Sequence, residues 1–270
     1  MTMPAALSIA GSDSSAGAGL QADLKTFSAL GVYGATVVAA VTAQSTKGVT
    51  AVHNVPADMI FAQMDAVFSD LRVRAVKTGM LGGEAGVLAV AEGLERWTHG
   101  IPIVIDPVTV STSGSRLLEK NAEAALVACL FPLAALITPN LLEAAALLGM
   151  QPAASESEAR KQAARLLSMG PRAVLLKGGH AAGSEATDFF YDGVTFRAYS
   201  ASRIATKNTH GTGCTLASAI AAFLVKGLTM EDAIGEAKTY LQGALERASD
   251  LSIGAGAGPL PHFYRQTPRV

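Results

Sequence analysis

The hydrophobic pattern of the chain alternates between two kinds of segment. Short runs of β-branched or apolar residues, most of them continuous, predict strands that are buried on both faces. These predicted strands are residues 5–11, 32–44, 74–81, 101–108, 134–140 and 172–179. The segments between them carry apolar residues at every third or fourth position, which predicts helices. The predicted helices are residues 19–31, 57–71, 84–97, 119–131, 141–150 and 155–170.

This alternation predicts an α/β fold with right-handed crossovers. A mostly parallel central sheet would then be covered by helices on both faces, giving a three-layer α/β/α architecture. Residues 187–201 differ, because apolar and polar positions alternate there around Asp192 and Gly193. Such a two-residue turn signal predicts an antiparallel hairpin at an edge of the sheet.

Two long predicted helices, residues 213–227 and 229–249, follow the hairpin. Gly227 is expected to end the first, and Thr229 to cap the start of the second. The sequence has no internal repeat and no low-complexity linker. We therefore expect one domain over residues 1–270.

Composition narrows the class of protein. With 270 residues, 50% of them hydrophobic, the chain can bury a large core. A formal net charge of -1 gives no electrostatic footprint for nucleic acid or an anionic membrane. The N-terminus has no basic region before its apolar run, and no long uncharged apolar stretch follows. Cys129 and Cys214 are too few for a disulfide framework and lack zinc-site spacing. We expect a cytoplasmic protein with a small-molecule substrate and neither a membrane nor a nucleic-acid partner.

Polar residues follow every predicted strand, at the edge of the sheet where ligands bind in such folds. The sequence has no Gly-Lys dipeptide, which excludes the lysine-containing P-loop. Residues 209–214, THGTGC, offer another phosphate site, because glycines let backbone N–H groups converge ahead of a helix. We predict that Gly211–Cys214 form an anion pocket for the transferred phosphoryl group. The alternative is a glycine-rich helix start without a ligand.

Cys214 falls inside this predicted pocket. A free cysteine is commonly a small buried hydrophobe, and we assign that role to Cys129. At a helix N-terminus, however, the dipole is expected to lower the thiol pKa below its free value of about 8.5. Cys214 could then accept a proton from a substrate hydroxyl or hydrogen-bond to it.

Asn140 and Glu143 stand three positions apart at a predicted helix start. A carboxylate there could hold a hydrated Mg²⁺ ion, or Glu143 could simply close a capping box. Lys177 lies in KGGH at a strand end, where it suits a polyphosphate chain, although it could be a solvated surface lysine.

Three residues in the first half of the chain suit an organic substrate. Asp23 lies about one turn into the first helix, near enough to bond a ligand, unless it faces solvent. Gln44 offers both a donor and an acceptor to a polar heteroaromatic ring. Met80 could cover a flat ring or fill the core.

The motifs in this order resemble the hydroxymethylpyrimidine/phosphomethylpyrimidine kinases of the ribokinase-like superfamily. The resemblance runs over nearly the whole chain, through residues 8–34, 75–82, 104–108, 136–149, 175–180 and 206–227. It implies a ribokinase-like fold and a homodimer. It also implies ATP-dependent phosphorylation of 4-amino-5-hydroxymethyl-2-methylpyrimidine to its monophosphate and then to the pyrophosphate, in thiamine biosynthesis.

The resemblance also implies roles for individual residues. The pyrimidine pocket would comprise Gln44, Asp23, Met80 and Val108, and we expect Gly11 there too. The nucleotide side would comprise Asn140, Lys177 and Thr206, with Glu143 serving the magnesium ion. The catalytic anion hole would comprise Gly211, Thr212, Gly213 and Cys214, with the cysteine where sugar kinases carry an aspartate base.

Two departures from the family pattern stand out. Thr112 occupies a position that is usually lysine, which concerns how the phosphate of the second substrate is held, and Ala16 replaces a glycine. Three other functions stay open: a pyridoxal or pyridoxine kinase on the same scaffold, a transferase that acylates or alkylates Cys214, and a non-catalytic pyrimidine sensor.

Overall fold

A computed structural model describes residues 3–108, 120–179, 183–249 and 251–266. Its strands form a nine-stranded sheet in the order β3-β2-β1-β4-β5-β6-β7-β8-β9. They are β1 (Ala5–Asp13), β2 (Tyr33–Ser45), β3 (Gly48–Asn54), β4 (Val73–Thr78), β5 (Ile103–Ile105), β6 (Leu136–Ile137), β7 (Val174–Leu176), β8 (Glu185–Tyr191) and β9 (Phe196–Ser202). Strands β1, β2 and β4 to β7 pair with one another in parallel, whereas β3, β8 and β9 pair antiparallel at the two edges.

Helices cover both faces of this sheet. They are α1 (Gly19–Ala29), α2 (Ala57–Asp70), α3 (Glu84–Trp97), α4 (Lys120–Ala125), α5 (Leu141–Leu148), α6 (Glu156–Leu167), α7 (Thr212–Val225) and α8 (Met230–Ala248). Among the residues described, no helix combines the length and apolarity needed to cross a bilayer.

Two hydrophobic cores lie on opposite faces of the sheet. One contains apolar residues of α2 to α6, and the other those of α1, α7 and α8. Successive strand residues divide between the cores: Ile103 and Ile105 belong to the first, whereas Val104 belongs to the second. This alternation of side chains across a strand is why the central strands read as continuous apolar runs. The predicted three-layer α/β/α architecture is confirmed.

The predicted hairpin at one edge is also confirmed. Strands β8 and β9 pair antiparallel, and Asp192 Oδ1 accepts hydrogen bonds from the backbone N–H groups of Val194 and Thr195. Gly193 takes a φ of 96°, which glycine adopts without a steric cost.

The hairpin at the opposite edge was not predicted. Strand β3 pairs antiparallel with β2, and residues 50–54 of β3 are all exposed. A strand with no buried face gives no apolar alternation to detect.

The predicted ends of the last two helices are confirmed, whereas only part of the predicted helix 119–131 is α-helical. Gly227 has a φ of 87°, and Thr229 Oγ1 accepts from Asp232 N, so both end signals are confirmed. Beyond α4, in contrast, the chain continues as a π-helix (Leu126–Leu130) and a 3-10 helix (Phe131–Leu133). Pro132 lies in the first turn of the 3-10 helix, where its missing N–H leaves no helical hydrogen bond unmade.

Candidate active site

The carboxyl ends of the parallel strands meet at one edge of the sheet, and α7 begins there. Asn140 and Lys177, which follow β6 and β7, form a parallel bridge, and Lys177 N donates to Pro139 O at 2.8 Å. The polar residues that follow the strands in the sequence therefore gather on one edge, as predicted.

Helix α7 presents a glycine-rich start at this edge. Gly211 caps it with a φ of 82°, and a Cβ atom on Gly211 would collide with the Gly17 carbonyl oxygen. Thr212, Gly213 and Cys214 then make up the first turn, and all three are half-buried. The first bond of the helix runs from Thr215 N to Gly211 O, so the preceding N–H groups have no acceptor within α7. Their partial positive charge makes this turn suitable for an anion.

Lys177 lies directly against that first turn. A Cβ atom on Gly213 would stand 3.2 Å from Lys177 Nζ and 3.5 Å from Asp106 Oδ2. Lys177 Nζ in turn lies 2.7 Å from Asp106 Oδ1, which also accepts from Thr138 Oγ1 at 3.0 Å. The structure thus brings the KGGH lysine and the predicted anion pocket together, and a side chain at position 213 would press against the tip of Lys177.

The electrostatics around Lys177 keep it charged. Burial alone would lower its pKa, but the Asp106 and Glu143 carboxylates raise the pKa above its ordinary value. Asp106 itself was not predicted as a functional residue. Its position directly after a buried strand, in VIDPV, was the available signal.

Asn140 and Glu143 form the capping box that was the alternative to metal binding. Asn140 Oδ1 accepts from Leu142 N and Glu143 N, both at 2.9 Å, while Glu143 Oε2 accepts from Asn140 N at 2.7 Å. Glu143 is buried, yet it is close enough to Lys177 to affect that lysine's pKa. Binding of a magnesium ion by Glu143 remains a prediction, because the carboxylate that would bind the ion is the one that makes the capping contact.

The prediction that the Cys214 pKa falls is wrong. Burial raises the pKa of the thiol to about 11, and Asp23 and Asp106 add to the rise, although Lys77 opposes it. Cys214 is therefore a neutral thiol at neutral pH, and such a group can donate or accept a hydrogen bond.

The structure places Asp23, which was predicted to bond a ligand in the crevice, in a buried ion pair. Asp23 and Lys77 both have side chains with 0% exposure, and Lys77 Nζ lies 2.9 and 2.8 Å from the two carboxylate oxygens. Ser8 and Ser218 donate further hydrogen bonds to the same carboxylate, at 2.5 and 2.6 Å. Asp23 therefore has no accessible surface in this structure and anchors Lys77 beneath the site, and a contact of Asp23 with a ligand remains a prediction.

Two of the residues predicted for the pyrimidine pocket are in contact with each other. A Cβ atom on Gly11 would lie 2.6 Å from Met80 Cε, so the absence of a side chain at Gly11 admits the methionine. Val108 is half-buried just beyond β5, and its N–H donates to Asp106 O at 2.9 Å. Thr112, with its bearing on the second phosphate, lies outside the described residues.

Gln44 is half-buried near the end of β2, beside a histidine that sequence reasoning missed. Its amide lies 3.1 Å from Thr42 Oγ1 and 3.3 Å from His210 Nε2. Thr206 lies in the loop that leads to His210, where its hydroxyl accepts from Asn208 N at 3.1 Å. A role for Thr206 toward the nucleotide remains a prediction.

The loop after β1 folds around Asp13, for which the sequence predicted no role in the site. The Asp13 carboxylate accepts from the N–H groups of Ser15, Gly17 and Ala18 and lies 2.8 Å from His210 Nε2. Burial alone would raise the pKa of Asp13, but the hydrogen bonds from His210, Ser15 and Ala18 lower it to about 2. These contacts hold the loop, including Ala16, whose φ of 60° is unusual for a residue other than glycine.

With this geometry in place, comparison with known proteins decides the family. The family model of phosphomethylpyrimidine kinase matches residues 13–261. The chain belongs to this family.

Relatives of the kinase family match this chain over 90% or more of its length. A hydroxymethylpyrimidine/phosphomethylpyrimidine kinase of Rhizobium meliloti is 56% identical, covering 96% of this chain and 97% of its own. The crystal structure of phosphomethylpyrimidine kinase from Clostridium difficile is 40% identical with a TM-score of 0.79, covering 90% of this chain and 100% of its own. The pyridoxal kinase of Staphylococcus aureus, in complex with AMP-PCP and pyridoxal, is 32% identical with a TM-score of 0.88 and covers 98% and 95%.

Membership of the family carries the reaction class. The chain is a kinase with a ribokinase-like fold that uses ATP, and its relatives connect it with thiamine biosynthesis. The predicted resemblance is confirmed.

Proposed function

We propose that this kinase transfers the γ-phosphoryl group of ATP to the 5-hydroxymethyl group of 4-amino-5-hydroxymethyl-2-methylpyrimidine and then phosphorylates the monophosphate to the pyrophosphate. The observation that carries the proposal is the first turn of α7, with Gly213 packed against the Lys177–Asp106 pair. An anion bound at Gly211–Cys214 would meet backbone N–H groups and an ammonium at the same point.

Phosphoryl transfer demands alignment and charge stabilisation more than a strong base, because its transition state is loose. The backbone of Gly211–Cys214 and the ammonium of Lys177 supply that stabilisation. Cys214, as a neutral thiol, hydrogen-bonds the attacking hydroxyl and need not remove its proton before the phosphoryl group moves. This division of labour agrees with a thiol whose pKa is raised to about 11.

Magnesium suits the carboxylates at this edge. Mg²⁺ prefers one or two carboxylates together with phosphate oxygens and waters. Asp106 and Glu143 both lie close to Lys177, and the described residues contain no cluster of three or more ligating side chains that would indicate a closed metal cage. The two carboxylates would hold the ion, which neutralises charge on the β- and γ-phosphates when it is bound. Asn140 and Thr206 are proposed to complete the nucleotide side.

The pyrimidine ring is proposed to lie between Met80 and Gln44, with Gly11 and Val108 completing the pocket. Met80 already packs on Gly11 and offers an apolar surface, while Gln44 offers both hydrogen-bonding functions of its amide. Asp23 and Lys77 support this arrangement from beneath and do not contact the substrate.

The experiment is an ATP-consumption assay with three acceptors offered separately: the pyrimidine alcohol, its monophosphate and pyridoxal. Phosphorus NMR of the products would identify each one. We expect turnover with the alcohol and the monophosphate, and a much lower kcat/KM with pyridoxal. A higher kcat/KM with pyridoxal would assign the chain to the activity of its structural neighbour. Tight pyrimidine binding without any product would indicate a sensor, and a covalent adduct on Cys214 in the mass spectrum would indicate a transferase.

We also propose a homodimer in the cytoplasm. The unpredicted β2–β3 hairpin leaves one valine exposed on each face at this edge of the sheet, Val41 at 49% and Val52 at 48%, which favours burial against a second copy. Light scattering coupled to size exclusion would test this, with Val52→Lys as the variant expected to shift the protein toward the monomer. A cytoplasmic location agrees with ATP use and with two free cysteines, Cys129 and Cys214.

A further inference from the structure

Asp13, His210 and Gln44 form a row of contacts that the phosphoryl-transfer chemistry does not use. Asp13 Oδ2 lies 2.8 Å from His210 Nε2, and the same nitrogen lies 3.3 Å from the Gln44 amide. Asp13 and His210 are buried, whereas Gln44 is half-buried. The row therefore runs from the interior of the β1 loop outward to the residue proposed to contact the pyrimidine.

The proton on His210 can be located from its neighbour. A carboxylate with a pKa of about 2 is ionised at neutral pH and can only accept hydrogen bonds. Because Asp13 Oδ2 lies 2.8 Å from His210 Nε2, that nitrogen must carry the proton and donate it. Gln44 therefore cannot donate to His210 Nε2, and only its amide oxygen can share the proton that this nitrogen gives to Asp13.

Thr42 gives the same answer independently. Its hydroxyl has one proton and lies 2.7 Å from the carbonyl oxygen of Ser12, which can only accept. That proton is used there, so Thr42 Oγ1 can only accept from the Gln44 amide at 3.1 Å. The structure has Gln44 Oε1 3.1 Å from Thr42 Oγ1 and Gln44 Nε2 3.3 Å from His210 Nε2, so this accounting of protons requires the two ends of the amide to be exchanged, with the nitrogen toward Thr42 and the oxygen toward His210. Oxygen and nitrogen of a glutamine are distinguished by such networks and not by shape.

We propose that His210, held by Asp13, is a positioning residue that fixes the Gln44 amide with its oxygen toward His210 and its nitrogen toward Thr42, and so sets the hydrogen-bonding pattern that selects an aminopyrimidine. The proposal rests on the proposed function in taking Gln44 as the ring-binding residue. The packing supports it, because a Cβ atom on Gly17 would collide with His210 Cδ2, so the imidazole lies tightly against the β1 loop.

Fixing the amide matters for selectivity. After these two contacts, Gln44 keeps one oxygen lone pair and one N–H for a ligand. An aminopyrimidine offers an amino donor beside a ring nitrogen acceptor, which is the complementary pair. A pyridine that carries carbon substituents beside its nitrogen lacks that pair. A freely rotating amide would present the opposite pattern for part of the time and so lose discrimination.

The test is a double-mutant cycle read out as the KM of the pyrimidine alcohol. His210→Phe keeps a ring but removes the donor, whereas His210→Gln places an amide N–H near the position of Nε2 and is the matched control. We expect His210→Phe to raise the pyrimidine KM about tenfold or more, equivalent to about 1.4 kcal/mol, with little change in the KM of ATP. His210→Gln should stay within about threefold of the parent, and His210→Phe should add less than about twofold when Gln44 is already alanine.

An equal effect of His210→Phe in the presence and absence of Gln44, or an equal rise in the KM of ATP, would overturn the proposal. The tautomer of His210 gives a second readout that needs no variant. Nitrogen NMR of the isotope-labelled protein should find the proton on Nε2, and a proton on Nδ1 alone would overturn the proposal even if His210→Phe failed to fold. Failure of the proposed function is separate: it would appear as an unsubstituted enzyme that phosphorylates no pyrimidine.

Discussion

Replacing Lys77 by methionine would remove the cation from an ion pair that has no contact with solvent. Both side chains of the Lys77–Asp23 pair have 0% exposure, and the ammonium contacts both carboxylate oxygens. Burial alone would lower the pKa of Lys77, but Asp23 raises it well above the ordinary value. The pair is therefore charged, and Lys77→Met would leave a buried carboxylate with only the hydroxyls of Ser8 and Ser218 as donors.

The expected cost of Lys77→Met is large. Breaking a buried pair by removing one partner costs about 3–5 kcal/mol, because the remaining charge is uncompensated. For a chain somewhat longer than 250 residues, each kcal/mol lowers Tm by about 2–4 °C, so we expect a fall of about 6–20 °C. Removing both charges in Lys77→Met/Asp23→Leu should recover part of this loss, although Ser8 and Ser218 then lack their acceptor.

Thermal melts of the parent, the two single variants and the double variant would measure this coupling. Circular dichroism follows the helices, and the fluorescence of the single tryptophan, Trp97, reports independently. A fall of less than about 2 °C for Lys77→Met would refute the argument. So would an Asp23→Asn variant that keeps its full Tm but has a raised KM for the pyrimidine, because Asp23 would then be a ligand after all.

Three further outcomes follow from the site. Cys214 has a pKa of about 11, so its rate of reaction with iodoacetamide should rise about tenfold per pH unit from pH 7 to 9. A rate that levels off in that range would show that the pKa is lowered instead. The variant Cys214→Ala should keep measurable turnover. Gly213→Ala should lower kcat/KM for ATP by displacing Lys177, because the new Cβ atom would stand 3.2 Å from Lys177 Nζ. The control Gly235→Ala in α8, where the nearest neighbour lies at 3.6 Å, should leave kcat/KM unchanged. Equal losses in the two variants would contradict the placement of Lys177 beside Gly213. Asp13 has a pKa of about 2 in the folded protein, below the ordinary 3.8, so it stabilises the fold above about pH 4 and loses that effect as pH falls toward 2. Asp13→Asn should therefore flatten the dependence of Tm on pH between about pH 4 and 2. An unchanged slope would contradict this stabilising role of the Asp13 carboxylate.

The central strands and helices could be predicted because their pattern of apolar residues is local and repeats along the chain. Strands buried on both faces must be apolar throughout, and the helices that cover them must carry an apolar stripe. Strand β3 could not be predicted, since an edge strand held by backbone hydrogen bonds to β2 needs no apolar side chains. The hairpin of β8 and β9 was visible because Asp192 and Gly193 mark its turn.

The site divides in the same way. A glycine-rich helix start is recognisable in the sequence, and for this reason Gly211–Cys214 were predicted as an anion pocket. The structure places Lys177 beside them. The partner of Asp23 lies 54 residues away, and the partner of Asp13 lies 197 residues away. Such pairs exist only after the chain has folded, and so does the burial that raises the Cys214 pKa. Sequence patterns show which polar residues reach the edge of the sheet, but they do not show which of these residues pair with one another in the folded protein.

A crystal structure with a non-hydrolysable ATP analogue and the pyrimidine alcohol would test the central claim most directly. The account predicts the terminal phosphate oxygens within hydrogen-bonding distance of the backbone N–H groups of Gly211–Cys214 and beside Lys177 Nζ, with the substrate hydroxyl facing Cys214 Sγ. A terminal phosphate bound elsewhere on the sheet edge, with the first turn of α7 left to solvent, would contradict it.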